Sequence, residues 1–143
     1  MSEQDLERLE DTITGYLVDM GLPPEHYGER MYAFRYGHTV LMVSLFEASD
    51  ACWVRLATTL LRDFRPTLDL VTRLLRLNTE VLLGSFLIFE DDILSFTTTL
   101  PGEGLASATF RTAIEQVASV SNTYGEELHS IAGGHLAEDL FPA

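Results

Sequence analysis

The residues of this chain that could do chemistry are four histidines, one cysteine and several clusters of acids. Glu126 and His129 stand three residues apart on a predicted helix. That spacing suits an acid–base pair, but it is also common among surface residues of helices. A zinc site needs several ligands at fixed spacing, and the sequence contains neither an HExxH motif nor paired cysteines. We therefore predict no catalytic residue, no metal and no cofactor.

Three further motifs lack a feature that their chemistry requires. The run Glu90-Asp91-Asp92 has no twelve-residue EF-hand loop around it, so it is interpreted as a solvated turn. Gly84-Ser85-Phe86 is not the G-x-S-x-G of a nucleophile elbow. Cys52 has no histidine beside it and follows a core-facing pattern, which predicts an unreactive thiol. These observations favour binding over catalysis.

Composition excludes some partners and leaves others open. The formal net charge is −13, and all nine basic residues are arginines. Residues 1–30 and 80–143 carry −6 and −9, whereas residues 31–79 carry +2. Such an acidic chain should repel nucleic acid and anionic membranes, and its charge serves either solubility or attraction to a basic partner segment. No apolar run is long enough to span a bilayer, and a single cysteine fits a reducing cytoplasm.

Hydrophobic periodicity predicts a helix, three strands, a second helix, two strands and a last helix. The expected fold is therefore α+β, with an antiparallel five-stranded sheet and helices mainly on one face. The second helix should end at Asn78 in a left-handed cap conformation. Residues 1–134 should form one domain, followed by a loose tail over 135–143. The first three predicted strands are Met31–Tyr36, Thr39–Ala48 and Cys52–Leu61.

The predicted hairpin from Leu82 to Leu100 suggests an assembly surface. Its first strand, Leu82–Phe89, is apolar on both faces, whereas its return strand alternates. A strand that is apolar on both faces needs cover on both, and in a short chain a second copy is a source of that cover. We therefore predict a homodimer with an interface formed by Leu74, Leu83, Leu87 and Phe89.

A partner-binding surface is predicted around Trp53. This residue lies opposite the core pattern of its strand, so that it is either covered by another element or left for a ligand. Leu41, Val43 and Leu45 share one face of the preceding strand and are the candidate neighbours of Trp53 on the sheet face away from the helices. The register between the two strands is not readable from the sequence.

Short motifs between the second helix and the end of the last one resemble a known family. In order and spacing they are similar to the YbjN-like relatives of the class I type III secretion chaperones, which share the Tir-chaperone fold. The resemblance covers residues 5–134 by element order and 74–134 by motif. It implies a homodimer that holds an extended, partly unfolded segment of another protein without ATP or catalysis. The motifs are Leu77-Asn78, Gly84-x-Phe86, Asp92, Leu100-Pro101, Gly104-Leu105, Glu127-Leu128 and Gly133-Gly134.

Three functional hypotheses follow. The first is a homodimeric, non-catalytic module that binds an extended segment of a client protein by strand pairing and apolar pockets. The second is a regulatory adaptor dimer that occupies the surface of a folded partner. The third is a small-molecule enzyme that uses His129 and Glu126. The client itself, whether a secreted protein, a signalling component or an enzyme of nucleic-acid metabolism, is not encoded in these patterns.

Overall fold

An antiparallel sheet carries three helices on one face in the computed structural model of the chain, which describes residues 3–90 and 92–136. The α+β class and the order of the predicted elements are confirmed. The helices are α1 (Glu3–Asp19), α2 (Leu68–Leu77) and α3 (Ser107–Ala132). The strands are β1 (Glu25–Gly28), β2 (Met31–Tyr36), β3 (Thr39–Ala48), β4 (Ala51–Arg62), β5 (Ser85–Phe89), β6 (Ile93–Pro101) and β7 (His135–Leu136).

The sheet has seven strands rather than the five predicted. Its order is β1-β2-β3-β4-β6-β5, and β7 pairs with β4 beside this path. Both additional strands are short and lack a hydrophobic alternation that would indicate a strand. The residues of β1, for example, are exposed except for the half-buried Gly28. Pairing with a neighbour, rather than local preference, makes these segments extended.

One core joins the helices to one face of the sheet. In β3 and β4 every second residue is buried over most of their length, as the alternation predicts. On α1 the buried residues recur at helical spacing and pack into the same core cluster. The fully buried Phe96 of β6 and Phe110 of α3 belong to it as well. The helices therefore lie on one side, and the opposite face of the sheet carries no helix in the described chain.

Asn78 has a different role from the predicted left-handed cap. Its backbone is right-handed, with φ −61° and ψ −20°. Its side chain instead contacts the edge of β5, where the Phe86 backbone N–H donates to Asn78 Oδ1 at 2.7 Å and Asn78 Nδ2 donates to the Phe86 carbonyl at 3.4 Å. The amide thus satisfies an outward-facing backbone donor and acceptor of an edge strand.

The strand β5 begins at Ser85 and not at Leu82, as predicted. Gly84 has a φ of +100°, and a Cβ atom there would lie 2.4 Å from the Thr97 carbonyl oxygen. A residue with a side chain would therefore be both strained and too close to β6. This turn separates Leu82, which is 89% exposed, from the strand that follows.

The start of the predicted tail forms β7. His135 and Leu136 pair with Arg62 and Leu61 of β4, while residues 137–143 lie outside the described residues. Gly134 makes this pairing possible, because a Cβ atom there would stand 2.4 Å from the Arg62 carbonyl oxygen. The chain turns back from α3 onto the sheet at this glycine.

A bidentate ion pair ties α2 to α3. Arg73 donates from Nε to Glu127 Oε2 at 2.7 Å and from Nη2 to Glu127 Oε1 at 3.0 Å. These hydrogen bonds lower the pKa of the Glu127 carboxyl group. Since both side chains are about one-third or more exposed, the pair contributes orientation more than stability.

Gly134→Ala should destabilise the protein more than Gly21→Ala. Both residues have positive φ, +74° and +73°, so both substitutions carry a strain of about 1–2 kcal/mol. Only at position 134 would the new methyl group also meet the β4 backbone, which should add roughly 1–3 kcal/mol. Urea unfolding of both variants measures the difference, and equal losses would contradict the close approach of β7 to β4.

Candidate functional site

The main irregularity of the sheet is the separation of β3 from β4. Their pairing runs from Ala48 and Ala51 to Met42 and Ala57 and then stops, although both strands continue. Beyond this point the Thr58 hydroxyl donates to the Val40 carbonyl oxygen at 2.9 Å. A side chain therefore bridges the two strands where their backbones have moved apart.

The edge of β4 that pairs with β3 also pairs with β7, further along the strand. β7 pairs with Leu61 and Arg62, so the registers leave Thr58, Thr59 and Leu60 without a paired strand residue on this side. The other side of β4 has a bulge at this position, because Thr59 pairs with Ser95 and Leu61 with Leu94. Bulges of this kind often accompany functional sites, where they redirect side chains.

A cleft of about 820 Å³ opens where the strands separate, and it is called the sheet cleft below. Its walls are β1 and the segment before it, parts of β2 and β3, the end of β4, the Ser121–Glu126 face of α3, and β7. The volume is typical of a ligand site, for which roughly 300–1,000 Å³ is usual. Its largest apolar lining residues are Tyr27, Phe34, Val40, Met42, Leu60 and Leu136.

The charged lining of the sheet cleft is mixed. Glu25 and Glu126 contribute carboxylates, and Arg35 and Arg62 contribute guanidinium groups. Arg62 is half-buried, and its Nε atom is buried without a hydrogen-bond partner. The cleft is therefore much less acidic than the chain as a whole, whose formal net charge is −13.

Leu41, Val43 and Leu45 do not lie on the face predicted for them. They are 0%, 0% and 5% exposed and belong to the core beneath the helices. The register explains the error, because Leu45 pairs with the buried Val54, whereas Phe46 pairs with Trp53. Directly paired residues share a face of the sheet. The side chains of Leu41, Val43 and Leu45 therefore lie on the face opposite to that of Trp53.

Trp53 itself lies on the helix-free face of the sheet, as predicted, and is half-buried. Its indole Nε1–H donates to the Ala48 carbonyl oxygen at 2.8 Å. Its strand neighbours on this face are Phe46 and Pro101, and the Arg55 guanidinium lies 4.7 Å from the centre of the Phe46 ring. This face therefore offers an aromatic surface that is partly covered by an arginine.

The residues predicted for a dimer interface differ in their exposure. Phe89 is 56% exposed, and Leu83 and Leu87 are half-buried, but Leu74 is only 5% exposed and packs in the core of its own subunit. Leu74 is thus not available to a partner, because α2 turns its Leu70–Leu74–Leu77 stripe inward. A second apolar stripe on α2 is exposed instead: Leu68 at 81%, Val71 at 36% and Leu75 at 64%.

The candidate catalytic and metal residues do not come together. Within residues 3–90 and 92–136, no group of three or more His, Cys, Asp or Glu side chains could hold a metal ion. His129 Nε2 lies 3.0 Å from the Gly134 carbonyl oxygen, and His129 is not among the residues that line the sheet cleft. Cys52 is buried, which raises the pKa of its thiol.

An aromatic hydroxyl links α1 to β2 near one end of the sheet. Tyr32 donates a hydrogen bond to the Glu10 carboxylate. Burial, together with this hydrogen bond to an anion, raises the pKa of Tyr32 to about 12. The phenol therefore stays protonated at neutral pH and serves to hold α1 on the sheet.

Sequence reasoning missed the residues that form the sheet cleft, chiefly Thr58, Leu60 and Arg62. One signal was present, because Leu60 and Leu61 are adjacent apolar residues at the end of a strand that otherwise alternates. Such a break in period 2 is typical of a bulge. The separation of β3 from β4 and the pairing of β7 involve distant segments and have no local signal.

The fold described above agrees with one family match and two solved structures. Residues 7–140 match the family described as T3SS (YopN, CesT) and YbjN peptide-binding chaperone 1, TY-Chap1. A chain in the crystal structure of the ExsC-ExsE complex superposes with a TM-score of 0.67 and 12% identity, covering 86% of this chain and 95% of that one. YbjN from E. coli gives a TM-score of 0.59 and 17% identity over 82% of this chain and 92% of its own.

At these identities the two structures show a shared fold and nothing finer. No curated protein sequence matches the chain. No helix in the described part of the chain combines the length and hydrophobicity that crossing a bilayer requires.

Thr58→Val should destabilise the protein, whereas Thr59→Val should not. Thr58 is 3% exposed and supplies the hydrogen bond to the Val40 carbonyl oxygen, so an isosteric valine should cost about 1–2 kcal/mol. Thr59 also lines the sheet cleft, but its hydroxyl makes no hydrogen bond to a described residue. Urea unfolding of both variants is the measurement, and unchanged stability of Thr58→Val would show that the bridge contributes nothing.

Proposed function

Because the chain belongs to the family of T3SS and YbjN peptide-binding chaperones, we propose that it is a non-catalytic homodimer that binds an extended segment of another protein. The observation that carries this proposal is the sheet cleft. It combines apolar walls with a stretch of β4, Thr58–Leu60, that has no paired strand residue on the cleft side.

An extended client fits this geometry for two physical reasons. Backbone groups at an unpaired stretch of strand can hydrogen-bond the main chain of a peptide whatever its sequence. Apolar pockets beside that stretch accept alternate side chains and give selectivity. Neither contribution needs ATP, a metal or a cofactor, and the proposed activity therefore requires none.

The homodimer is supported by the exposed apolar residues around α2. Nine large apolar side chains in the described chain are notably exposed, and five of them lie between positions 68 and 89. They are placed on α2, on the loop after it and on β5, which contacts α2 at one edge of the sheet. Large apolar patches are unusual on the surface of a monomer, and the proposed interface would bring these five side chains into one patch that a partner covers. The five are Leu68, Val71, Leu75, Leu82 and Phe89.

A twofold axis near α2 would bring this surface against its own copy. Leu83 and Leu87 flank it, and Phe89 belongs to it, so these three remain interface residues in the proposal. An obligate dimer should bury more than ~2,000 Å² in total. The acidic segments 1–30 and 80–143, at −6 and −9, would oppose further association by charge repulsion.

Trp53 marks a second surface that a client segment would contact as it leaves the cleft. It lies on the helix-free face with Phe46, and Met42 on the same face also lines the sheet cleft. An aromatic anchor of this type often carries much of a binding energy. The net charge of −13 argues against nucleic acid or an anionic membrane as partner. We assign the activity to the cytoplasm, where Cys52 would remain reduced.

Leu75→Asp should convert the dimer into a monomer, whereas Val18→Asp should leave it intact. Both side chains are 64% exposed, so neither substitution should unfold the subunit, but Val18 lies on α1 outside the proposed interface. A buried aspartate at a twofold contact would be unpaired and would face its own copy. Sedimentation velocity measures the result, and a wild-type protein that is monomeric at high micromolar concentration would refute the homodimer.

A client complex should protect one extended segment from proteolysis. The experiment is to isolate the complex from cells by proximity cross-linking, to digest it and the free client with the same protease, and to map the protected residues by mass spectrometry. A short segment that is cleaved when free and protected when bound is the expected result. Protection of a domain that is already resistant when free would favour the regulatory adaptor.

A further inference from the structure

We propose that the sheet cleft holds an Asp or Glu side chain of the bound client segment, and that Arg62 is the residue that pairs with it. This inference rests on the proposed peptide binding and specifies the chemistry of the segment. The bound client segment would carry one side-chain carboxylate flanked by apolar residues.

Arg62 lacks the partner that a half-buried cation requires. Its Nε atom is buried with no hydrogen-bond partner, and its side chain makes no hydrogen bond or ion pair within the described residues. A buried donor without an acceptor is costly, because the water that solvated it is not replaced. The cleft therefore contains a donor whose acceptor has to come from outside these residues.

The other half-buried arginines in the described chain are paired with acids of the protein. Arg30 also has a buried Nε atom without a hydrogen-bond partner, but its terminal nitrogens pair with Glu3 and Glu29. Arg73 forms its bidentate pair with Glu127. The exposed arginines need no such partner, because solvent hydrates them. Arg62 differs from Arg30 and Arg73 in lacking a carboxylate partner among the described residues, although the chain has 22 acids. It differs from Arg35, which also lines the cleft, in being half-buried rather than exposed.

The walls of the cleft define what can accompany the carboxylate. Val40, Met42 and Leu60 line the same cleft as Arg62 and would contact apolar side chains of the client. Glu126 also lines it, and would repel a second acid in the segment. The planar guanidinium matches the two oxygens of a carboxylate better than a single carbonyl oxygen. A single acid between apolar residues therefore fits these surroundings.

A random twelve-residue peptide display library, selected separately on three proteins, tests this inference. The proteins are wild type, Arg62→Gln and the control Arg65→Gln, which removes the same charge from an exposed residue outside the cleft lining. Wild type and Arg65→Gln should both select apolar peptides with one recurrent Asp or Glu. Arg62→Gln should lose that preference.

The strongest selected peptide is then synthesised with its acid and with the corresponding amide, and both are measured by fluorescence anisotropy. Wild type should bind the acidic peptide at least about tenfold more tightly than the amide, and Arg62→Gln should bind the two alike. Equal binding of the two peptides by wild type would overturn the inference. An undiminished acid preference in Arg62→Gln would overturn it as well.

Glu126→Gln supplies a test in the opposite direction that does not depend on how Arg62→Gln folds. It removes the competing carboxylate and should tighten the acidic peptide without changing the amide peptide. Unchanged or weaker binding of the acidic peptide would count against the inference. Selection of apolar peptides without an acid would overturn this inference alone, whereas no selected peptide on any of the proteins would overturn the proposed peptide binding too.

Discussion

The pairing of β4 with β6 is the interaction on which the rest of the structure depends. It runs from Trp53 and Pro101 to Arg62 and Ile93, with one bulge, and so secures β4 along almost its entire length on that side. The opposite side of β4 can then be shared between β3 and β7 without loss of the sheet. The sheet cleft exists because this division leaves an interval between the two partners.

The residues that carry the family resemblance have structural roles close to this arrangement. Asn78 attaches the end of α2 to the edge of β5, and Gly84 allows β5 to start close to β6. Glu127 ties α3 to α2 through Arg73, and Gly134 brings β7 against β4. These contacts set the positions of the helices and of β7, but none of them supplies the lining chemistry of the cleft. The motifs therefore identify the fold, while the binding preference depends on other residues.

The negative charge of the chain lies in its first and last segments and not in the central one. The formal net charge of −13 resides in the outer segments of the sequence, while residues 31–79 are positive by 2. This central segment contains β3, β4 and α2, and hence both Arg62 and the exposed stripe of Leu68, Val71 and Leu75. Long-range repulsion between copies of the chain thus limits unspecific association. Short-range contacts can still be favourable: apolar contacts at the exposed stripe, and charge pairing at Arg62, because a partly buried charge is screened less by salt than an exposed one.

The sequence by itself determined the α+β class, the order of the three helices and the five longer strands, and the buried positions of β4. Each of these follows from the hydrophobic period within one segment. It also placed Trp53 opposite the core. It did not determine which residues of β3 stand beside Trp53, since register depends on two strands at once and a shift of one residue exchanges the faces. It did not reveal that Leu74 is buried while Leu75 is exposed, because α2 is apolar on two sides and only packing chooses between them. The tertiary structure alone decided β1, β7 and the cleft, because pairing between distant segments, rather than local preference, stabilises them.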